Sequence, residues 1–166
     1  MSKLVEIYTD GSCSQGAFMP WPGGWAAMII LDGHKYAAIH DGKLHTTNNE
    51  MELTAFLEGL LFFEKEIGYK EEHRVVVYTD SAYIHNCFEQ KWYEKWIRND
   101  WKTAAKEPVK NQELWIRIFN MIGKFKQIEI RKVKAHADNP YNNYVDKLAV
   151  EAKEKVVKDN ENYISA

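Results

Sequence analysis

The chain has 166 residues, 45% hydrophobic and 28% charged, a composition that excludes a disordered chain and suits one compact domain. No apolar run approaches the roughly 20 residues that cross a bilayer, and Met1-Ser2-Lys3-Leu4 does not open a secretory signal, so a cytoplasmic protein with no membrane partner is expected. The net charge of −2 hides a polarised chain: residues 1–90 carry 6 Lys/Arg and 13 Asp/Glu, net −7, whereas residues 91–166 carry 16 and 11, net +5. Cations would neutralise the first half and phosphates would meet the second, although chance segregation of solvated charge gives the same pattern. Cys13 and Cys87 lie far apart with no His or Cys at metal-ligand spacing, so neither a zinc site nor a disulfide framework is indicated and ordinary reduced thiols are expected.

Along the chain, Leu4 to Thr9 is β-branched and aromatic and ends at Asp10-Gly11-Ser12, a strand followed by a turn. After a loop rich in Gly and Pro (Gly16 to Gly24), Trp25 to Leu31 and Lys35 to His40 form a hairpin about Asp32-Gly33. From Asn49 to about Ile67, Leu53, Phe56, Leu57, Leu60, Phe63 and Ile67 recur at helical spacing, with Thr47 or Asn48 as cap. Arg74 to Thr79 is a short apolar strand ending at Asp80-Ser81, where a capped helix begins. In residues 90–101, Trp92, Trp96 and Trp101 interleave with Lys91, Lys95 and Arg98 along a helical pattern, and a basic loop containing Pro108 follows. Asn111 to Lys124 is a helix, Ile128 to Val133 a strand and Asn143 to Lys158 a closing helix. Strands followed by alternating helix and strand imply one α/β layer architecture with a mixed sheet.

Two strands end alike, Tyr8-Thr9-Asp10 and Tyr78-Thr79-Asp80, at the carboxyl ends where open α/β sheets bind ligands. If the strands are neighbours, the two carboxylates converge and need a shared proton or cation. Taken singly, each Asp fits a structural role better, Asp10 opening a turn and Asp80 capping a helix. The first helix offers Glu50 and Glu52 on either side of its apolar stripe, so periodicity does not choose between them. Thr47 and Glu50 have capping-box spacing, which gives Glu50 a structural role and favours Glu52 for chemistry. Asp146 falls in the first turn of the last helix, where the helix dipole alone would account for it.

The ordered fragments Asp-Gly-Ser at 10–12, Thr-Thr-Asn-Asn-Glu-Met-Glu-Leu at 46–53, Thr-Asp-Ser at 79–81, Val-Lys-Ala-His-Ala at 133–137 and Asn-Asn-Tyr-Val-Asp at 142–146 resemble bacterial type 1 ribonucleases H. The likeness covers almost the whole chain and includes Trp101-Lys102-Thr103-Ala104, Pro108-Val109-Lys110-Asn111 and Leu114-Trp115, similar to that family's basic protrusion. It implies a ribonuclease H-like fold: a five-stranded mixed sheet flanked by helices, with a basic helical protrusion, as a single domain over residues 1–160 with a short tail at 161–166. It also implies an endonuclease that hydrolyses the RNA strand of RNA/DNA hybrids, leaving 5′-phosphate and 3′-hydroxyl ends. The positions matching its catalytic, metal-holding carboxylates are Asp10, Glu52, Asp80 and Asp146. Two Mg²⁺ ions about 3.5–4 Å apart suit such a task, Mg²⁺ prefers carboxylate and water oxygens, and Mn²⁺ is an expected substitute. The resemblance makes His136 an auxiliary catalytic group on a loop.

For the substrate, the resemblance places Asn48 and Asn49 in the hybrid's minor groove and Thr47 and Asn111 on a DNA-strand phosphate. Lys91, Lys95, Lys102, Lys106 and Lys110 would follow the DNA backbone, while the tryptophans pack within the protrusion. The chain departs from the family pattern in its long loop, Ser14 to Pro22, and in the less basic Ile97-Arg98-Asn99-Asp100. With no separate hybrid-binding module expected, cutting should be distributive and the protein a monomer without an obligate protein partner. Another nuclease or transposase of the same architecture, or a non-catalytic nucleic-acid-binding domain, are the competing readings.

Overall fold

A computed structural model describes residues 3–16, 21–134 and 138–165. The sheet contains β1 (Lys3–Cys13), β2 (Gly23–Leu31), β3 (His34–Lys43), β4 (His73–Thr79) and β5 (Ile128–Lys132) in the order β3-β2-β1-β4-β5. The β1–β2 and β2–β3 pairs are antiparallel, and β1–β4 and β4–β5 are parallel. The β2–β3 hairpin turns on Asp32 and Gly33 at φ of 48° and 84°, the left-handed pair a two-residue turn requires.

The helices are α1 (Asn48–Glu66), α2 (Ala82–Glu89), α3 (Trp92–Arg98), α4 (Gln112–Ile122) and α5 (Pro140–Ser165). On one sheet face Val5, Ile7, Val75 and Val77 meet Leu53, Phe56, Leu57 and Leu60 of α1, with Trp115 and Ile118 of α4 in the same cluster. On the other, Tyr8, Ala26, Met28 and Ile30 meet Val145 and Ala149 of α5. Alternation along β1 and β2 therefore serves two helical layers, and each fully buried Leu or Phe contributes about 1.5–3 kcal/mol. The Tyr8 ring stacks on Tyr78 at 4.3 Å and meets Tyr141 of α5 at 5.2 Å.

Several boundaries differ from the sequence expectation. β2 begins at Gly23 rather than Trp25: a Cβ on Gly24 would lie 2.6 Å from the Lys153 amide nitrogen, so glycine here marks the close approach of α5 and not a loop. The first strand runs on through Asp10, Gly11 and Ser12, paired with Ala26, Trp25 and Gly24, which corrects the expected turn. α3 covers only Trp92–Arg98, and Asp100 and Trp101 are left-handed. α5 starts at Pro140 and runs beyond Lys158 to Ser165, so Asp146 lies in its second turn, not its first.

The expected packing of the tryptophans is observed. Trp96 lies 6.2 Å from Trp92, 5.7 Å from Trp101 and 5.6 Å from Trp115, ring centre to ring centre. This aromatic cluster anchors the segment between α3 and α4, whose Lys102, Lys106 and Lys110 are exposed.

Candidate active site

The site begins where two strands part. Parallel pairing of β1 with β4 ends at Tyr8 and Tyr78, while β1 continues along β2, so Asp10 projects beside the notch left by β4. Thr9 ties this edge, its hydroxyl donating to the Tyr78 carbonyl at 2.9 Å. At the end of β4, the Thr79 hydroxyl accepts from the Ser81 amide at 3.1 Å and the Ser81 hydroxyl accepts from the Ile84 amide at 3.1 Å. Ser81 is thus the cap of α2, which leaves the Asp80 side chain without that structural duty.

Glu52 reaches the notch from α1. A Cβ on Gly11 would fall 2.5 Å from the Met51 carbonyl carbon and 2.9 Å from Glu52 Cα, so glycine is what lets the strand and helix backbones approach. Glu50 points elsewhere. Its amide donates to the Thr47 hydroxyl at 3.1 Å, and its carboxylate accepts from Lys43 Nζ at 2.8 Å and from the Thr46 hydroxyl. These partners hold Glu50 away from the notch, whereas Glu52 enters it.

Asp10, Glu52 and Asp80 each offer a carboxylate oxygen, and the three atoms lie within 4.8 Å of one another. They share a cavity of about 370 Å³ with Asn48, Asn49, Tyr83 and Asp146. Asp10 Oδ2 and Glu52 Oε2 are buried without a hydrogen-bond partner, although the Gly11 amide donates to Asp10 Oδ1 at 3.0 Å. Burial, then the Asp80 charge, pushes the Asp10 carboxyl up to about 9. Burial, then Asp10, holds Glu52 well above the ordinary range, and burial raises Asp80 as well. Clustered, desolvated carboxylates with free lone pairs fit a hard divalent cation, which supplies the missing charge and ligation.

Of the other expected residues, Thr47 and Asn111 line a separate cavity of about 230 Å³ with Trp21, His45, Thr46 and Glu50. Lys110 borders a third, beside Tyr83, Trp96 and Val109; Lys102, Lys106 and Lys110 do not line the carboxylate cavity. His136 and part of the long loop, residues 17–20, lie outside the described residues. Sequence reasoning missed Tyr83, which lines the carboxylate cavity and whose hydroxyl accepts from Trp115 Nε1 at 2.9 Å. Its position three residues after Asp80 was the available signal. It also missed Lys43 and Thr46 as partners of Glu50, for which no local periodicity exists.

Fold and site together define an α/β protein with an acidic, cation-shaped centre at a sheet notch. The RNase H family model matches residues 2–154. Relatives named Ribonuclease H include that of Caldanaerobacter subterraneus subsp. tengcongensis, 45% identical over 96% of this chain and 97% of its own, and that of Chlorobium luteolum, 43% identical over 93% and 99%. Among solved structures, LC9-RNase H1, described as a type 1 RNase H with the type 2 active-site motif, superposes with a TM-score of 0.76 at 28% identity, covering 93% of this chain and 74% of that one. LC11-RNase H1, solved in complex with an RNA/DNA hybrid, shares the fold with a TM-score of 0.71 at 21% identity over 92% and 99%. The chain belongs to the RNase H family.

Proposed function

We propose that this protein hydrolyses the RNA strand of RNA/DNA hybrids, leaving 5′-phosphate and 3′-hydroxyl ends, with Asp10, Glu52, Asp80 and Asp146 holding two Mg²⁺ ions. The observation that carries this reading is the convergence of Asp10, Glu52 and Asp80 with two partnerless buried oxygens in the cavity that Asp146 also lines. Divalent cations bound there would activate a water and stabilise the departing 3′ oxygen. Water adds to phosphorus, the bond from phosphorus to the 3′ oxygen breaks, and that oxygen takes up a proton.

The chain's own groups orient these events. The sheet and α1 fix Asp10 and Glu52 with little freedom, so the acidic centre is organised before substrate arrives. Asn48 and Asn49, exposed beside it in the first turn of α1, carry amides suited to the 2′-hydroxyls that mark the RNA strand. Thr47 and Asn111, the N-caps of α1 and α4, face a common cavity and would hold a DNA phosphate, since helix N-termini favour anions. Lys102, Lys106 and Lys110 extend the grip along the DNA backbone. His136 would aid departure of the product or protonate the leaving oxygen.

On this reading the catalytic unit is one domain over residues 1–160 acting as a cytoplasmic monomer; no helix among the described residues is long and apolar enough to cross a membrane. The test is cleavage of matched RNA/DNA, RNA/RNA and DNA/DNA duplexes with and without Mg²⁺. Mg²⁺-dependent cutting of the hybrid's RNA strand alone is expected. Equal cutting of duplex DNA would defeat the roles of Asn48 and Asn49, and no cutting at all would defeat the enzyme reading.

A further inference from the structure

The cavity that Thr47 and Asn111 share also contains an anion belonging to the chain itself. Glu50 lies in the first turn of α1, where the helix dipole favours negative charge. One carboxylate oxygen accepts from Lys43 Nζ at 2.8 Å, and the other accepts from the same ammonium at 3.2 Å and from the Thr46 hydroxyl. Across the cavity, Asn111 sits at φ of 61° and makes no side-chain cap bond to α4, so its amide is not spent on the helix it begins. A phosphate entering here meets two helix N-termini and one amide, yet the nearby ammonium and a hydroxyl are already engaged by a carboxylate.

We propose that Glu50 is an internal competitor for the DNA phosphate and sets how tightly the hybrid is held. Lys43 and Thr46 exchange Glu50 for the phosphate when the hybrid docks, and Glu50 then opposes the incoming charge. The role rests on the hybrid-binding reading above and concerns affinity, not the bond-breaking step. It differs from a purely structural staple between the end of β3 and the start of α1. A staple predicts that removing either member of the pair acts in the same direction. A competitor predicts opposite directions, because Lys43 helps the phosphate and Glu50 hinders it.

The experiment measures the Kd of a short RNA/DNA hybrid in EDTA across a salt series, with thermal melts to verify folding. Glu50→Gln should tighten binding about 2–5-fold, the worth of an exposed ion pair, and steepen the slope of log K against log salt by about one. Lys43→Gln should weaken binding and flatten the slope, and the double variant should return toward wild type. Asn111→Ala should weaken binding, marking the cavity as part of the interface. Weakened binding in Asn111→Ala with an unchanged or weaker Glu50→Gln overturns the competitor role and leaves the hybrid reading standing. Unchanged affinity in all these variants removes the cavity from the interface and overturns the role as well. Failure of the hybrid reading itself would appear separately, as wild-type protein that neither binds nor cuts hybrid.

Discussion

At the notch between β1 and β4, Asp10 and Glu52 are 2% and 4% exposed, closely spaced and electrostatically unfavourable. In the segment between α3 and α4, Lys102, Lys106 and Lys110 are exposed, carried on irregular backbone and secured from beneath by Trp96, Trp101 and Phe119. The first region concentrates few charges in largely buried surroundings, where each is strongly coupled to its neighbours. The second spreads charges in solvent, where each is weakly coupled and roughly additive. On the proposed function, chemistry would belong to the first arrangement and capture of a long polyanion to the second.

The sharpest way to break this contrast is Asp10→Asn. Cleavage of the hybrid should fall by at least about 100–1000-fold, the loss expected when one preorganised charged group is removed, with the fold retained. Stability supplies a second readout. An unfolded Asp titrates near pH 4, while folded Asp10 titrates at about 9. Between those values the folded, metal-free protein keeps a proton that the unfolded chain has lost, so stability falls as pH rises through the window. Asp10→Asn should flatten that slope and melt above wild type at pH 8. A variant that cuts normally, or melts with the wild-type pH slope, would overturn the site as drawn.

The next largest effect concerns His136. His136→Ala should lower kcat roughly 10–1000-fold with KM nearly unchanged, in or near the range of lost acid/base assistance. Wild-type kcat at several pH values would remove it from the mechanism. Replacing Lys102, Lys106 and Lys110 together by Gln should raise KM and flatten its salt slope by about three, one per phosphate contact, while kcat moves little. A large fall in kcat would mean that the two regions are not separable. The smallest effect is expected from Ser81→Ala. Loss of the cap on α2 should cost about 1 kcal/mol in a denaturant melt, with a mild loss of activity through the position of Asp80.

Much of this architecture was legible because the signals are local. The helix spacing of Leu53 to Phe63, the Asp32-Gly33 turn and the alternating helices and strands after it each depend on neighbours in sequence. What was not legible depends on distant partners. The pairing of Asp10 through Ser12 is with Ala26, Trp25 and Gly24, which no window around Asp10 contains. Gly11 signalled a turn, whereas its role is the approach of α1. Glu50 and Glu52 could not be separated by periodicity, because the difference lies in Lys43 and Thr46 on one side and the carboxylates of Asp10 and Asp80 on the other. The sequence predicts a start for the last helix at Asn143, whereas it begins at Pro140, a residue well suited to open a helix.

The strand that carries Asp10 is paired on both flanks as far as Tyr8 and on one flank beyond it. Freeing that backbone requires dismantling the centre of the sheet, so the acidic notch opens only when the whole molecule does, whereas the lysine segment lies outside the sheet and its opening leaves the strands paired. A cation seated on Asp10 and Glu52 would therefore draw on the global equilibrium. At a concentration of 100 times its Kd it would add about 2.7 kcal/mol to the stability of the entire fold. The same ion would protect against proteases wherever cutting needs the whole molecule to open, but would give no protection to a segment that opens locally with the ion still bound.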